Sequence, residues 1–464
     1  MRFFEMKKKL FFSALTISAA MLMSACDKDD PVSPEPVPPP TSSTVVPLSS
    51  SAANNGVVQS PYGILPSVAS LDAALNLYGS WKALYYKTYQ QEAALYPELA
   101  KDWTLIFGNY VAAGMIPARI VWDTQNDAYC VIDESDDSYK KRGCTVSEAI
   151  GYGMLITLFA GDLAAFNSLW YYNRGYREYQ NSNLMPWKVG TYSYESLVTP
   201  ANSSSATDAD LDIATALVLA YYATGDIAYL NDALLVINDI WNNEISPTGM
   251  IYAGNMPVWK KDNSAYNLSY FSPIAIKLFA LVDKNHDWTN VLNTMYTYMI
   301  NVQSAGTGVI PDWTDISGTA IDPKNGSATN TYWQFYHEAV RIPWRIAWDY
   351  YWTQDPRAQQ VLSTLNNFIS TKSSGSAAKL ETTGKVMYSA VAGKADGSTN
   401  SFMPNWHGAW CLTGMAGNQA WLNECTASFN TKTMSGFSYF PHILMTMYSQ
   451  LLNGMYMKPA LLPL

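Results

Sequence analysis

The chain has 464 residues, 48% of them hydrophobic and 14% charged, with a formal net charge of −9. That is enough apolar material for a large core, and an acidic chain without a basic patch argues against nucleic acid and other polyanions as partners. The 16 Trp and 32 Tyr supply rings that either fill cores or stack on sugar faces.

The first nine residues, "MRFFEMKKK", are basic on balance, and the apolar run "LFFSALTISAAMLMSA" leads up to Cys26. A charged start, an apolar stretch and small residues before a Cys resemble a bacterial lipoprotein signal. A transmembrane anchor is the alternative, but a bilayer span takes about 20 apolar residues and this run is shorter. The resemblance implies removal of residues 1–25, lipidation of Cys26, and a place in the cell envelope, anchored at the outer membrane and open to the cell surface. "DKDD" after Cys26 is similar to the acidic tag of some surface lipoproteins. Residues 26–60 are then rich in Pro, Ser and small residues without apolar periodicity, which predicts an extended tether. Loss of residues 1–25, which carry a net +3, leaves a mature charge of about −12.

Residues 61–464 show no second linker and read as one domain. Helical periodicity predicts helices over 68–95, 148–160, 163–181, 210–223, 227–242, 270–282, 287–303, 333–352, 356–372, 403–415 and 437–455. Strand signals are sparse, confined to "GKVMYSAVAG" and "TGMIYAG". Eleven or twelve helices with alternating short and long connections can curl into a toroid of six inner and six outer helices. An open solenoid is the alternative, although no fixed-period self-similarity is visible.

Four cysteines remain besides Cys26: Cys130, Cys144, Cys411 and Cys425. Outside the cytoplasm they allow two disulfides, and the local pairing 130–144 with 411–425 is favoured because both segments read as loop-rich. Free thiols are the other outcome. Neither these cysteines nor the scattered His286, His337, His407 and His442 have the spacing of zinc ligands, and no cofactor is expected.

Three acidic stretches carry the chemistry. In "CTVSEAIGYGM", Glu148 follows Thr145 by three positions, like a capping box. Gly151 and Gly153 weaken that helix by roughly 1 kcal/mol each, which close approach of a neighbouring backbone or a ligand would offset. In "ATDADLDIATALVLA", Ser205 precedes Asp208 by three, again like a capping box. Asp208 and Asp212 share a helix face and Asp210 points elsewhere. In "YWQFYHEAVRIPWRIAWDYYW", Glu338 and Arg341 stand on one helical face, Arg345 follows one turn later, and Asp349 is a second carboxylate. Locally, each stretch also reads as ordinary capping or ion pairing. Together, carboxylates at separate helix starts in an aromatic-rich exported chain without metal ligands suggest glycoside hydrolysis, which needs one protonated and one ionised carboxyl group.

"TVSEAIGYGM", "LMPWKVG", "ATDADLDIATALVLAYY", "YNLSYFSP", "PDWTD" and "HEAVRIPWRIAWDYYW", in that order along the chain, resemble the sequence blocks of glycoside hydrolase family 8. The resemblance spans roughly residues 75–455. It implies an all-α (α/α)6 barrel with few short strands, and inverting hydrolysis of internal β-1,4 linkages in a polysaccharide such as cellulose, mixed-linkage β-glucan, xylan or chitosan. It implies Glu148 as general acid, Asp208 as the aspartate that holds and distorts the central sugar, and Tyr270 and Trp187 as substrate contacts. The family's frequent "Asp-Ala-x-Arg" reads "EAVR" here, so Glu338 is the expected base, with Arg341 beside it. Ala149 also replaces a Gly common after the acid. The expected partner is a β-linked polysaccharide or oligosaccharide, bound by a monomer. A non-catalytic glycan-binding lipoprotein on the same fold is the competing expectation.

Overall fold

The computed structural model describes residues 58–60, 63–122 except 96, 98 and 99, 144–189, 204–323 except 262 and 263, and 332–464 except 383–386, 398–402 and 437. The expected signal, Cys26, the tether up to residue 57, and Cys130 lie outside the described residues. Fourteen α-helices occur among those described. In chain order they are α1 (Leu71–Tyr85), α2 (Tyr89–Leu95), α3 (Ala100–Ala112), α4 (Ser147–Phe159), α5 (Leu163–Gln180), α6 (Thr207–Thr224) and α7 (Ile227–Glu244). Then follow α8 (Pro273–Val282), α9 (Trp288–Ala305), α10 (Ile342–Thr353), α11 (Pro356–Lys372), α12 (Pro404–Leu412), α13 (Gln419–Phe429) and α14 (Tyr439–Leu452).

Two kinds of helix alternate. Helices α4, α6, α8, α10, α12 and α14 are apolar on nearly every face; α6 is buried continuously from Thr207 to Tyr221. A helix apolar all round belongs inside. Helices α5, α7, α9, α11, α13 and α1 are amphipathic. In α11 the buried residues are Ala358, Val361, Leu362, Leu365, Asn366 and Ile369, one stripe at helical spacing. The inner six contact one another in order, α4 to α6, α8, α10, α12 and α14, and α14 returns to α4. The ring is therefore closed. Each inner helix also packs against the outer helix that follows it, except α14, whose outer partner is α1 from the start of the chain. The architecture is an (α/α)6 barrel in which the two ends of the domain complete the sixth hairpin.

The helix starts differ in the same two classes. All six outer helices have a side-chain N-cap: Ser70, Asp162, Asp226, Asp287, Asp355 and Asn418 each accept a backbone N–H of the first turn. None of the six inner helices has one. Three of them instead carry a proline at the first or second position, Pro273, Pro343 and Pro404, which removes an N–H that would lack an intrahelical partner. The capping boxes expected at Thr145–Glu148 and Ser205–Asp208 do not form. Val146 and Ala206 are the cap residues, while the Thr145 hydroxyl donates to the Ile120 carbonyl and the Ser205 hydroxyl donates to Glu244.

Other departures from the periodicity have local causes. The helix expected over 68–95 is interrupted at Tyr86–Thr88, where strand β3 pairs antiparallel with β4 (Ala118–Ile120). That pairing is locked by Arg119, fully buried and bonded to Glu92 at 2.7 Å. Earlier, Val58–Ser60 (β1) pairs with Gly63–Leu65 (β2), so the last three residues counted with the tether belong to this fold. A third pair joins β5 (Thr145–Val146) to β6 (Lys188–Val189). Among the described residues, the two expected strand segments form only isolated bridges, Ile245 to Ile251, Gln334 to Ser389 and Met387 to Gly397. The helix expected from residue 333 starts only at Ile342, because Pro343 cannot sit in a helix interior. Before it, the Asp312 carboxylate takes the N–H groups of Tyr336 and Ala339, each at 2.9 Å. Helices α3 and α13 were not foreseen. Cys411 and Cys425 form a disulfide that joins α12 to α13, so this bridge links two helices rather than loops. Cys144 is disulfide-bonded as well.

Gly151 of α4 explains how α4 and α6 meet. A Cβ there would lie 3.0 Å from the Ala209 carbonyl oxygen and 3.0 Å from the Asp212 Cβ, both on α6. Gly153 faces Ile120 and Leu169 at the same distance. Gly151→Ala gains about 1 kcal/mol of helix propensity, but it pushes on backbone that cannot yield cheaply, and overpacking costs about 1–3 kcal/mol. The expected result is net destabilisation in urea unfolding, whereas an unchanged or higher midpoint would show that α4 and α6 can separate freely.

Candidate active site

The uncapped starts of five inner helices converge on one cleft. Its lining includes Glu148 (α4), Asp208 (α6), Tyr270 just before α8, Glu338 and Arg341 just before α10, and Tyr439 (α14), and its volume is about 560 Å³. Helix N-termini present unpaired N–H groups and positive dipole ends. Glu148 thus faces the cleft, and Asp208 turns Oδ2 to the cleft while its Oδ1 accepts the Ala209 N–H of its own first turn at 2.9 Å.

Arg341 is the hub. Its Nη1 donates to Glu148 Oε2 at 2.8 Å, to Asp208 Oδ2 at 2.7 Å and to the Tyr152 hydroxyl at 3.3 Å. Its Nη2 donates to Glu338 Oε2, which also accepts from Asn267 Nδ2 at 2.7 Å. One buried guanidinium therefore joins all three carboxyl groups. Its planar fork can serve several acceptors in fixed directions, which a lysine cannot do. A second rung lies one turn deeper. Arg345 forms a bidentate pair with Asp212 at 2.7 and 2.8 Å and donates to the Ser269 carbonyl at 2.6 Å. Asp208 and Asp212 share a helix face, and each takes one of the two arginines.

The three carboxyl groups are not equivalent. Burial pushes Glu148 up to about 7, with the Asp208 and Glu338 charges adding to the rise; Arg341 and the Tyr439 hydroxyl oppose it. Tyr439 donates to Glu148 Oε1 at 3.1 Å. Burial also raises Asp208, against the pull of Arg341 and Arg345. Glu338 is the most open, its side chain 32% exposed against 18% for Glu148 and 2% for Asp208. Beside it, burial and the Arg341 charge lower His337 to about 4, so at neutral pH this imidazole adds no positive charge.

Aromatic rings form the walls. Trp187 is 39% exposed, with Lys188 Nζ 4.9 Å from its ring centre. Its backbone accepts from Ser147 N at 2.8 Å and donates to the Ser204 carbonyl at 2.9 Å, tying it to the starts of α4 and α6. Tyr270 lies under the Arg341 guanidinium at 5.4 Å. Trp122 and Phe440 complete the lining.

The structure thus brings Glu148, Asp208, Glu338, Arg341, Tyr270 and Trp187 to one place. It leaves Asp349 out: that carboxylate is fully buried and held by Lys277 at 2.6 Å and the Tyr296 hydroxyl at 2.5 Å, so it is not a competing base. Glu338 and Arg341 do not share a regular helix as expected. Ala339–Arg341 form a 3-10 turn with Glu338 at its cap position. Sequence reasoning missed Asn267, Tyr439 and Asp312. Asn267 and Asp312 stand inside blocks already singled out. For Tyr439 the signal was the repeat of Ser-Tyr-Phe just before or at an inner-helix start, at residues 269–271 and 438–440.

A closed helical barrel with a raised carboxyl, a second and more open carboxylate, and aromatic walls around one cleft defines a carbohydrate-active protein of the acid–base type. The chain matches the model of glycosyl hydrolases family 8 over residues 120–450. It belongs to that family. It is 34% identical over 229 residues to Endoglucanase C of Ruminiclostridium cellulolyticum, covering 48% of this chain and 46% of that protein. It thus spans less than half of that relative's length. It is 29% identical over 348 residues to a Beta-glucanase of Niallia circulans, covering 68% of this chain and 83% of that one. Among solved structures, a Beta-1,3-1,4-glucanase from Paenibacillus sp. X4 superposes with a TM-score of 0.65 at 23% identity, over 85% of this chain and 96% of that one. A GH8 protein from Teredinibacter turnerae in complex with xylobiose superposes with a TM-score of 0.62 at 15% identity, over 84% and 95%. At these identities the superpositions establish the fold. No helix among the described residues is long and apolar enough to cross a membrane.

Proposed function

We propose that the protein is an inverting glycosidase that cleaves internal β-1,4 linkages of a neutral plant polysaccharide, with β-glucan as the first substrate class and xylan as the second. The observation that carries this reading is the single guanidinium joining three unequal carboxyl groups at the base of an aromatic cleft. Glu148, raised to about 7, is protonated in a large fraction of molecules near neutrality and gives its proton to the departing glycosidic oxygen as the C–O bond breaks. Glu338, the most open carboxyl, takes a proton from a water that attacks the anomeric carbon from the opposite face. Asp208, fixed between Arg341 and its own helix start, hydrogen-bonds the sugar at the cleavage point and favours its distorted ring. Trp187 and Tyr270 bind neighbouring sugars, and that remote binding energy offsets the distortion. After turnover Glu148 is ionised and Glu338 protonated, and exchange with solvent restores both.

The relatives named for β-glucan and endoglucanase activity support the substrate class. On the same reading the sequence before residue 58 supplies a lipid anchor at Cys26 and a Pro- and Ser-rich tether, which would hold the barrel off the outer membrane as a surface enzyme. The test is incubation of the purified protein with cellulose derivative, lichenan, xylan and chitosan, with the first product anomer followed by NMR. The α anomer is expected in the first minutes. A β product would contradict single displacement. Polysaccharide binding without release of reducing ends would instead identify a glycan-binding protein on this fold.

A further inference from the structure

The cleft does not use Asp210, the middle acid of "ATDADLD". Its side chain turns away from both arginines toward the end of α7. Its Oδ1 accepts the Met185 N–H at 3.2 Å. Opposite stands Glu244, the last residue of α7, whose Oε1 accepts from the Ser205 hydroxyl. Both carboxyl groups are fully buried. Each keeps one buried oxygen, Asp210 Oδ2 and Glu244 Oε2, without a well-formed hydrogen bond from an N–H or O–H donor; the Thr207 hydroxyl approaches Glu244 as well, and the two carboxyl side chains are hydrogen-bonded to each other. Two carboxylates offer only lone pairs, so a hydrogen bond between them requires one proton. A single shared proton satisfies both orphaned oxygens at once.

The surroundings agree. The charged groups that face the pair are Arg177 of α5, Asp208 of α6, and Lys260 after the Pro257–Trp259 turn. Arg177 is committed to Asp232 at 2.5 Å and to Asn173 at 2.8 Å. Neither Asp210 nor Glu244 has an ion-pair partner among the described residues. Burial and their mutual repulsion raise Asp210 well above the usual carboxylate range, and burial raises Glu244 to about 7.

The pair also stands at a junction. Through Met185 it holds the segment that carries Trp187. Through Ser205 it holds the residue that leads into α6 and Asp208. Ser205 in turn exchanges hydrogen bonds with Asn255, at 3.0 and 3.2 Å. We propose that Asp210 and Glu244 share one proton, and that this proton-bridged pair positions Asp208 and Trp187 on the cleft. Both are positioning residues; neither lines the cleft. Loss of the proton would set two negative oxygens against each other at hydrogen-bonding distance and push apart the two segments that the pair joins.

Amide substitution separates a shared proton from mere packing. In Asp210→Asn, an N–H takes the place of the shared proton and Oδ1 still accepts from Met185. Glu244→Gln does the same from the other side. The double variant sets two amide donors against each other with no acceptor between them. All variants are made in the full chain carrying Glu148→Gln, which removes the titration of Glu148 and slows hydrolysis enough to measure binding. Three readouts are taken: the infrared carbonyl stretch of protonated carboxyl groups, the urea midpoint, and affinity for a β-1,4-linked glucose hexamer.

The infrared difference between parent and either single variant near neutral pH is expected to show the loss of one protonated carboxyl. The singles bind the hexamer within about threefold of the parent, and the double variant loses roughly tenfold or more with a lower midpoint, because buried donors are left unpaired. With a carboxyl raised in the folded state, the parent's stability falls as pH rises from the ordinary carboxylate range through the raised value. Asp210→Asn falls less over the same window. No protonated-carboxyl difference, or a double variant as stable as the singles, would overturn the proposal. Only the affinity arm rests on the proposed function: if the parent binds no hexamer, the functional reading fails, while the infrared and unfolding arms still decide the shared proton.

Discussion

Glu148→Gln is expected to lower kcat on a β-1,4-glucan by about 10²–10⁴-fold, the range for loss of a positioned general acid. Substrate affinity should change little, because a glutamine oxygen can still accept from Arg341. The pH dependence follows from the raised carboxyl. Its protonated, proton-donating form is present below about 7 and is lost as pH rises through that value, so the wild-type rate falls on the alkaline side near neutrality. The same rise means that folding takes up a proton between the ordinary carboxylate range and about 7. The stability linked to Glu148 is therefore largest at low pH and declines across that window. The alkaline loss of rate should disappear from the Gln variant, and its stability should decline less across that window, the remainder coming from the other raised carboxyl groups. An aryl glycoside whose leaving group needs no proton should lose far less rate than the polysaccharide. Full release of reducing sugar from the polysaccharide by Glu148→Gln would remove this residue from the acid role.

Arg341→Met carries the largest expected stability effect. The substitution leaves Glu148, Asp208 and Glu338 around an apolar side chain, with two of the three carboxyl groups largely buried. Removal of one partner from a buried ion pair costs about 3–5 kcal/mol, because the other charge stays behind. The loss should be greatest above neutral pH, where the raised Glu148 and Asp208 are driven to ionise. It should shrink in mild acid, where protonation of the carboxyl groups replaces the missing cation. Urea unfolding at two pH values measures this directly. Arg341→Lys should recover part of the stability and little of the rate, since a point charge cannot reproduce the fork that reaches Glu148, Asp208 and Glu338 together. An unchanged unfolding midpoint for Arg341→Met at neutral pH would mean that the three carboxyl groups are already neutral or solvated.

The site was partly legible because its acids sit in short, ordered blocks. Glu148, Asp208 and the Glu338–Arg341 pair could be found by spacing and by resemblance, and each lines the cleft. The capping boxes misled for a physical reason. A Ser or Thr three positions before a carboxylate satisfies a local pattern, but buried hydroxyls at Thr145 and Ser205 had better partners across the fold. Tyr439 was missed because its partner Glu148 is 291 residues away. The helix expected from residue 333 failed at Pro343, a signal present in the sequence, and at Asp312, whose capture of two N–H groups was not foreseeable from periodicity.

By itself the sequence determined the alternation of wholly apolar and amphipathic helices, since that pattern is a matter of residue type within a few turns. It also placed Glu148 and Asp208 at helix starts. The tertiary structure decided that the ring closes with α1 against α14. It decided that one arginine meets three acids, and that Asp210 belongs with Glu244 rather than with the cleft. Local pattern specifies which face of a helix is apolar. Which charges then lie within a few ångströms of one another, and so which of them hold a proton, depends on contacts between segments that are remote in the chain.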